Sequence, residues 1–246
     1  MTEAATEPLA PVEMAVEIAA DPGRVRATLA DSAKVWLRPS GVVSRAGGEI
    51  AVVTSDAPVK VVERDPLVTE IDEGRGPLRT SWTLQARADR TAVVVTSTSG
   101  FSEVADADAH RERMTTVLTV LAAHLEHFPD PPGTEVHAWG PSRGRGAGST
   151  HEQAHARFLS QVGVLVPGQP MATFRGLPAM AGTCLERRGG HHHSAALLLL
   201  ESPTPGLAVL STAGTPPVHE VHALLFGDDA VADRLQAQWA AWLAAV

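Results

Sequence analysis

The chain has 246 residues, of which 44% are hydrophobic and 20% are charged, a balance typical of a globular protein with a buried core. Its formal net charge of −8 disfavours nucleic acid as a partner, because no overall positive field attracts phosphate. A single cysteine, Cys184, excludes an internal disulfide and a zinc site of several thiolates.

The N-terminal residues and the single cysteine predict a cytoplasmic location. Glu3 and Glu7 stand where a signal peptide carries basic residues, and no apolar segment follows them. No apolar run approaches the length that crosses a bilayer. We therefore expect neither a membrane nor a nucleic acid among the partners.

A proline-rich break divides the sequence into two predicted domains. Residues 129–133 read Pro-Asp-Pro-Pro-Gly, which neither a helix nor a central strand continues through. We predict one domain over 10–129 and a second over 134–246. Most of the net negative charge belongs to the first domain, so the two have different surfaces.

The first domain opens with a strand and helices. Alternating apolar residues over 14–18 predict a half-buried strand. Asp21 is a good N-cap and Pro22 suits the first helical position, so a helix is predicted next. Ser32 is expected to cap a second short helix, which carries Trp36 and ends before Pro39.

The rest of the first domain is predicted to be a meander and a long helix. From Gly41 to Ser97 the apolar period is two, which predicts about six antiparallel strands with one apolar face. The period then changes to that of a helix, on which five apolar residues form one stripe. They are Met114, Leu118, Leu121, Leu125 and Phe128.

This order of elements resembles a known superfamily. With it come the short motifs Trp36-Leu37, Ala46-Gly47-Gly48-Glu49, Ser99-Gly100-Phe101 and residues 121–126. Together they resemble the SRPBCC superfamily of START-like, helix-grip domains, closest to bacterial homologues of the heat-shock-protein-90 ATPase activator. The resemblance covers residues 12–128. It implies an α+β fold in which an antiparallel sheet wraps around a long C-terminal helix and leaves a cavity.

The resemblance also implies a function, which is the binding of a small hydrophobic molecule, or of a protein client, without covalent chemistry. Five residues are our candidates for the cavity lining: Trp36, Trp82, Phe101, Met114 and Leu118. The same residues would equally form a filled core, because apolar residues at helical spacing usually pack against each other. Both interpretations remain open on the sequence alone.

The second domain is predicted to repeat the plan of the first. Strands are expected over 135–139, 194–201, 207–212 and 218–226, with a helix over 150–162. A final helix carries Val231, Leu235, Trp239, Trp242 and Val246 on one face. This order suggests a second, degenerate helix-grip unit. If Trp239 and Trp242 were exposed, they would offer a surface to a partner or to a second copy.

Residues 151–155 match the pattern H-E-x-x-H, which places two imidazoles on one helix face to bind zinc. His151 and His155 would be the ligands, with Glu186 or Glu201 as a third. A capping box explains the same residues, with Ser149 as the N-cap and Glu152 at the third helical position. We expect no cofactor and keep a zinc hydrolase as a remote alternative.

Two other segments are weaker candidates for binding. The histidine tract 191–193 is predicted to be a solvated turn that enters a strand. The glycine-rich residues 144–149, next to Arg143, lack the lysine of a P-loop and the third glycine of a dinucleotide fingerprint. We interpret that segment as a flexible connector.

An enzyme remains the second hypothesis, of the polyketide-cyclase kind that shapes a bound chain for ring closure. The sequence has no G-x-S-x-G nucleophile pattern, so catalysis would depend on a polar group in the cavity. Glu70, Glu103 and His110 are the candidates. A buried acid or histidine among apolar groups would have a perturbed pKa, whereas a wholly apolar pocket would favour transport or sensing.

Overall fold

The computed structural model describes residues 10–36, 40–44, 50–54, 60–64, 67–72, 77–98, 104–128, 133–142, 150–163, 166–214 and 216–245. These residues divide into two compact units. Unit 1 comprises Met1–Pro39 and Thr54–Glu126, and unit 2 comprises Ser40–Val53 and His127–Val246. The predicted domains differ from this division chiefly over 40–53, which the structure groups with unit 2.

The chain forms a mixed α+β structure with antiparallel sheets. Its described elements, in chain order, are β1 (Val12–Ile18), α1 (Pro22–Trp36), β2 (Ser40–Ser44), β3 (Ile50–Thr54), β4 (Lys60–Arg64), β5 (Leu67–Asp72), β6 (Pro77–Arg87), β7 (Arg90–Thr98), α2 (Val104–His127), β8 (Thr134–Pro141), α3 (His151–Val162), β9 (Pro170–Ala172), β10 (Ala181–Arg188), β11 (His193–Ser202), β12 (Gly206–Ala213), β13 (Val218–Leu225) and α4 (Asp229–Ala245). Among the described helices, none combines the length and the apolar character needed to cross a membrane.

In unit 1 the first strand of the sheet pairs with the last. The strand order is β1-β7-β6-β5-β4, and every pairing is antiparallel. Six strands separate α1 from α2, as the alternating pattern predicts. However, β2 and β3 form a two-stranded sheet of their own rather than extending this one.

Helix α1 is a single helix where the sequence predicts two. Asp21 accepts a hydrogen bond at Oδ1 from the Arg24 backbone N–H at 3.0 Å, so the predicted N-cap is confirmed. The helix then continues to Trp36 without a new start at Ser32. Neither glycine nor proline interrupts residues 24–36, and a serine inside a helix is only mildly unfavourable.

One face of α2 covers one face of the unit 1 sheet. The predicted stripe residues Met114, Leu118, Leu121 and Leu125 are all buried. They belong to one core with Ile18, Val25, Leu29, Leu67, Trp82, Val93 and Val95. The expectation of an antiparallel sheet packed against a long C-terminal helix is therefore confirmed. Phe128 does not extend the stripe, because α2 ends before it, and its ring stacks on Phe226 at 4.2 Å.

Unit 2 follows the same plan as unit 1. Its sheet has the order β8-β13-β12-β11-β10-β9, so the first strand again pairs with the last. Helix α3 packs against β11 and β12, whereas α4 packs mainly against β8. Both helices contribute to a single core on one sheet face. The tandem organisation predicted from the sequence is thus present, although β9 and β10 were not predicted.

The aromatic residues of α4 do not form the exposed surface that the interaction hypothesis requires. Trp239 is fully buried, and its ring meets Trp242 edge-on at 5.5 Å. Trp242 is half-buried and packs against the unit 2 core, while Leu243 completes the buried face. Val246 lies outside the described residues. In the described part of α4, the tryptophans therefore stabilise unit 2 rather than offering a patch to a partner.

We expect Leu121→Ala to destabilise unit 1 by about 2–5 kcal/mol, because a fully buried leucine loses both its transfer free energy and its packing contacts. Urea unfolding followed by tryptophan fluorescence measures the change. Glu126→Ala, at an exposed position of the same helix, is the control and should change stability by less than about 0.5 kcal/mol. Equal effects of the two substitutions would contradict this packing of α2.

Candidate functional site

Three polar side chains stand at one end of the buried sheet face of unit 1. Thr80 on β6 and Ser97 on β7 are cross-strand partners, and their hydroxyl oxygens lie 3.2 Å apart. His110 on α2 brings its Nε2 to 2.9 Å from Ser97 Oγ. All three side chains are buried. A hydrogen-bonded chain therefore links two strands of the sheet to the long helix.

The sequence places these three residues by periodicity. Thr80 precedes Trp82 by two residues and Ser97 follows Val95 by two, so both hydroxyls share the apolar face of the sheet. His110 precedes Met114 by four residues and so continues the buried stripe of α2. That spacing was the signal for His110. The register that pairs Thr80 with Ser97 was not available from the sequence.

His110 is neutral at physiological pH. Burial, together with the smaller effects of the Arg113 and Arg111 charges, lowers its pKa to about 4. Arg111 itself forms an ion pair with Asp108 one turn earlier. A neutral imidazole has one nitrogen that donates a hydrogen bond and one that accepts. The His110–Ser97 pair can therefore offer hydrogen bonds to a ligand without carrying a charge.

The predicted cavity residues divide into two groups. Trp82, Met114 and Leu118 lie in the same buried core as the α2 stripe. Trp36 is the last residue of α1, but its side chain lies outside the described part of the structure, as does the whole of Phe101. The same holds for the side chain of Glu70 and for Glu103. The cavity between the sheet and α2 stays a prediction.

A second buried histidine of α2 lies closer to its C-terminal end. His124 is followed by the core residue Leu125. Burial is the main cause that lowers its pKa, and the charge of Arg24 on α1 contributes. His124 and His110 are 14 residues apart, which corresponds to about 21 Å along a helix. His124 thus serves as a matched control for His110.

Unit 2 contains its own cluster of buried histidines. His155 on α3 is only 4% exposed, and its Nδ1 lies 3.1 Å from Thr212 Oγ1 on β12. The same hydroxyl oxygen lies 2.9 Å from Nδ1 of His219 on β13. The ring of Phe158 stacks on His219 at 4.5 Å. Thr212 therefore bridges two imidazoles between α3 and the sheet.

Both histidines of this cluster are neutral near pH 7. Burial lowers the pKa of His155 to about 3, with smaller contributions in the same direction from His193, Arg187 and His219 and an opposing one from a hydrogen bond to the Ala195 backbone. Burial also lowers the pKa of His219 to about 4, and Arg157 adds to the effect. Sequence reasoning selected His155 as a metal ligand but missed Thr212 and His219. Their alternation with Leu210 and Val221 was the signal that placed them on the buried face.

The described residues do not assemble the zinc site that H-E-x-x-H suggests. No group of three potential ligands among them could hold a metal ion. Glu152 is exposed, and His155 turns its Nδ1 to Thr212. The suggested third ligands are also engaged or exposed, because Glu186 pairs with Arg188 at 2.5 Å and Glu201 faces solvent.

The helix that carries this motif has a capping box one residue later than predicted. Thr150, not Ser149, is the N-cap, and its hydroxyl accepts from the Gln153 backbone N–H at 3.2 Å. The Gln153 side chain accepts in turn from the Thr150 backbone N–H at 3.3 Å. Gln153 therefore occupies the third helical position that was assigned to Glu152.

The opposite face of the unit 2 sheet carries two histidine–glutamate pairs. His137 Nε2 lies 2.6 Å from Glu220 Oε1, and Ser211 donates to the other oxygen of Glu220 at 3.1 Å. His222 Nε2 lies 3.1 Å from Glu135 Oε1. All four side chains of these pairs are half-buried, so each pair places an imidazole beside a carboxylate on that face.

Comparisons with known proteins give distant structural likenesses, two of which are DynU16 and StfQ. No family model and no curated protein matches the chain. It is similar to DynU16, a protein of the dynemicin biosynthetic locus, with 17% identity over 97% of each chain and a TM-score of 0.37. It is also similar to StfQ, a di-domain ARO/CYC protein of the steffimycin biosynthetic pathway, with 13% identity, 92% of this chain and 91% of StfQ covered, and a TM-score of 0.34. Likeness at this level assigns neither a family nor a reaction.

We expect Thr150→Ala to destabilise unit 2 by about 1 kcal/mol, because it removes the N-cap acceptor of α3. Ser149→Ala is the matched control, since Ser149 is the cap that the sequence alone suggests. Urea unfolding of both variants decides between the two positions. If Ser149→Ala lowered the free energy of unfolding more than Thr150→Ala does, the capping box would lie one residue earlier.

The buried histidines of unit 2 should make stability depend on pH. In the unfolded chain both histidines titrate near pH 6.5, whereas in the folded chain the pKa of His155 is about 3 and that of His219 about 4. Between the folded and the unfolded pKa of each histidine, the unfolded state therefore binds more protons than the folded state. Their contribution to the free energy of unfolding is therefore fully present above pH 6.5 and decreases as the pH falls towards 4. Each histidine contributes a slope of up to about 1.4 kcal/mol per pH unit.

His155→Gln and His219→Gln should each reduce that slope, which urea unfolding at a series of pH values measures. Thr212→Val is the control, because it breaks the bridge but removes no titrating group. It should lower stability at every pH and keep the slope. An unchanged slope in both histidine variants would contradict their burial in the neutral form.

Proposed function

We propose that unit 1 binds a small hydrophobic molecule between its sheet and α2, and that His110 acts on a carbonyl group of that molecule in a cyclase-like reaction. The observation that carries the proposal is the His110–Ser97 hydrogen bond at one end of an otherwise apolar helix face. The sequence resemblance to SRPBCC domains supports the binding part. The closer resemblance to activators of the heat-shock-protein-90 ATPase is not carried over.

The apolar part of the proposed site is formed by the sheet and the α2 stripe. Trp82, Met114 and Leu118 supply large, uncharged surfaces that favour an apolar ligand over a polar one. Their contacts continue towards Leu121 and Leu125, along the axis of the helix. We therefore propose an elongated ligand whose apolar body lies along α2, in a protein of the cytoplasm.

The polar end of the proposed site favours one role for His110. A pKa of about 4 makes the imidazole a weak base, so it is poorly suited to remove a proton from carbon. A neutral imidazole donates a hydrogen bond well, and burial strengthens that bond, since little water competes for it. We assign His110 to the carbonyl oxygen, where negative charge develops when a carbon nucleophile attacks.

The proposed reaction is an intramolecular aldol closure of a chain with several ketone groups. An acidic methylene between two carbonyls loses a proton to water, and the resulting carbanion attacks a second carbonyl carbon. The carbonyl oxygen, held by His110, then takes a proton from water. One carbon–carbon bond forms, one proton moves from carbon to oxygen, and no oxidant or cofactor takes part.

The chemistry is tested with a synthetic linear tetraketone. Its ring closure is followed by the absorbance of the aromatic product that forms when the aldol then loses a water molecule in solution. We expect His110→Phe to lower the rate above the uncatalysed reaction by about 100-fold, because one donor to the oxyanion is lost. His124→Phe, on the same helix, should keep the rate of the parent. Ser97→Ala should have a smaller effect, since it removes the bond that orients the imidazole.

Binding is tested separately, by the fluorescence of anilinonaphthalene sulfonate and by a native mass spectrum of the untagged protein. The parent and His110→Phe should bind the dye with affinities within threefold of each other. If the parent and His110→Phe close the ring at equal rates while both bind the dye, the catalytic role of His110 is rejected. The second candidate function, a carrier of hydrophobic molecules, then remains. If the protein neither binds the dye nor carries a bound organic molecule, the proposed cavity itself is rejected.

A further inference from the structure

Two buried hydroxyl groups and one imidazole form the Thr80–Ser97–His110 chain of unit 1. Thr80 Oγ1 lies 3.2 Å from Ser97 Oγ, which in turn lies 2.9 Å from His110 Nε2. Each hydroxyl has one proton to donate, and a neutral imidazole has one N–H group. The direction of the hydrogen bonds along the chain therefore decides which ring nitrogen of His110 carries its proton.

The sheet holds the middle of this chain in place. Ser97 is on β7, which has β1 on one side and β6 on the other, and its register partners are Val12 and Thr80. Thr80 has a β-branched side chain, so rotation about its χ1 angle is restricted. Both hydroxyls are buried, and little water competes for their hydrogen bonds. The two strands therefore present the Ser97 hydroxyl to His110 from a fixed position.

The role proposed for His110 favours one direction of this chain. To hold a carbonyl oxygen, the imidazole must donate a hydrogen bond to it. Since Nε2 faces Ser97, the nitrogen that donates to the ligand is Nδ1, and Nε2 then accepts the proton of the Ser97 hydroxyl. Ser97 has no second proton, so the hydrogen bond between the two hydroxyls is donated by Thr80.

We propose that Thr80 is a positioning residue of unit 1, which donates to Ser97 and thereby keeps His110 in the Nδ1–H tautomer. With the Thr80 proton pointing at Ser97, the Ser97 proton cannot point back and is directed to Nε2. In the reverse direction, Nε2–H would donate to Ser97, and the lone pair of Nδ1 would repel a carbonyl oxygen. The role of Thr80 rests on the function proposed for His110, through which it acts without touching the ligand.

Nuclear magnetic resonance of protein labelled with nitrogen-15 histidine measures the tautomer, because a protonated and an unprotonated ring nitrogen differ in chemical shift. The resonances of His110 are assigned by their loss in His110→Phe. We expect the parent at neutral pH to carry the His110 proton on Nδ1. A proton on Nε2 would overturn the proposal, and this result requires no substrate.

Thr80→Val removes the hydroxyl and keeps the shape of the side chain. We expect His110 to populate both tautomers in this variant, and ring closure of the tetraketone to slow by about fivefold, because one hydrogen bond of the chain is lost. Thr80→Ser restores the donor and should return both the tautomer and the rate to those of the parent. Thr83→Val, at an exposed position of the same strand, is the control and should change neither.

The two measurements separate the role of Thr80 from the reaction itself. If the parent does not close the ring, but its Nδ1–H tautomer is lost in Thr80→Val, the reaction is rejected and the direction of the chain stands. If the parent closes the ring, and Thr80→Val changes neither tautomer nor rate, the role of Thr80 is overturned. Should Thr80→Val not fold, Ser97→Ala is the second test, and an Nδ1–H tautomer retained there would also overturn the proposal.

Discussion

The five-stranded sheet of unit 1 and the six-stranded sheet of unit 2 each turn one apolar face towards two helices of the same unit, and buried side chains fill that contact. A polar side chain on such a face must find its hydrogen bonds inside the protein, because the lost bonds to water are otherwise not replaced. This constraint explains why several of the buried polar residues occur as connected groups. Thr80, Ser97 and His110 form one such group, and His155, Thr212 and His219 form another.

The same exclusion of water sets the chemistry of the buried histidines. A histidine at the surface gains or loses its charge near neutral pH, whereas burial keeps His110, His155 and His219 uncharged. Nearby arginines act in the same direction, since a second positive charge is unfavourable beside them. Each imidazole is thereby available as a neutral hydrogen-bonding group, which suits contact with carbonyl or carboxylate oxygens.

Local periodicity accounts for what the sequence could predict. The stripe from Met114 to Leu125 and the alternation along β6 and β7 depend on residues close in the chain, so helix, strands and core followed from them. Strand β10 was missed because it contains Gly182 and two irregularities of register. No side chain fits at Gly182, since a Cβ there would overlap the Leu199 carbonyl oxygen. Strand β9 has three residues and begins with a proline, which left no alternating pattern.

The candidate sites were less predictable than the fold, because they depend on contacts between distant segments. His110 could be selected as a buried polar candidate, but its contact with Ser97 depends on how α2 lies on the sheet. His155 was predicted as a zinc ligand, but it contacts the Thr212 hydroxyl instead. A two-histidine motif reads as a metal site when only the helix is known, and the bridge through Thr212 becomes visible only once β12 lies beneath it.

The pairing of first and last strands governs how each unit can be synthesised. Val12 pairs with Ser97 and Thr134 with Leu225, so the partners are separated by about 85 and 90 residues. A ribosome adds about 5–20 residues per second, and β1 therefore emerges several seconds before β7 exists. During that interval the apolar side of β1 has no strand beside it and no α2 above it. Non-local closure of this kind is slow, and it leaves the nascent chain of each unit prone to aggregation until its final helix has been released.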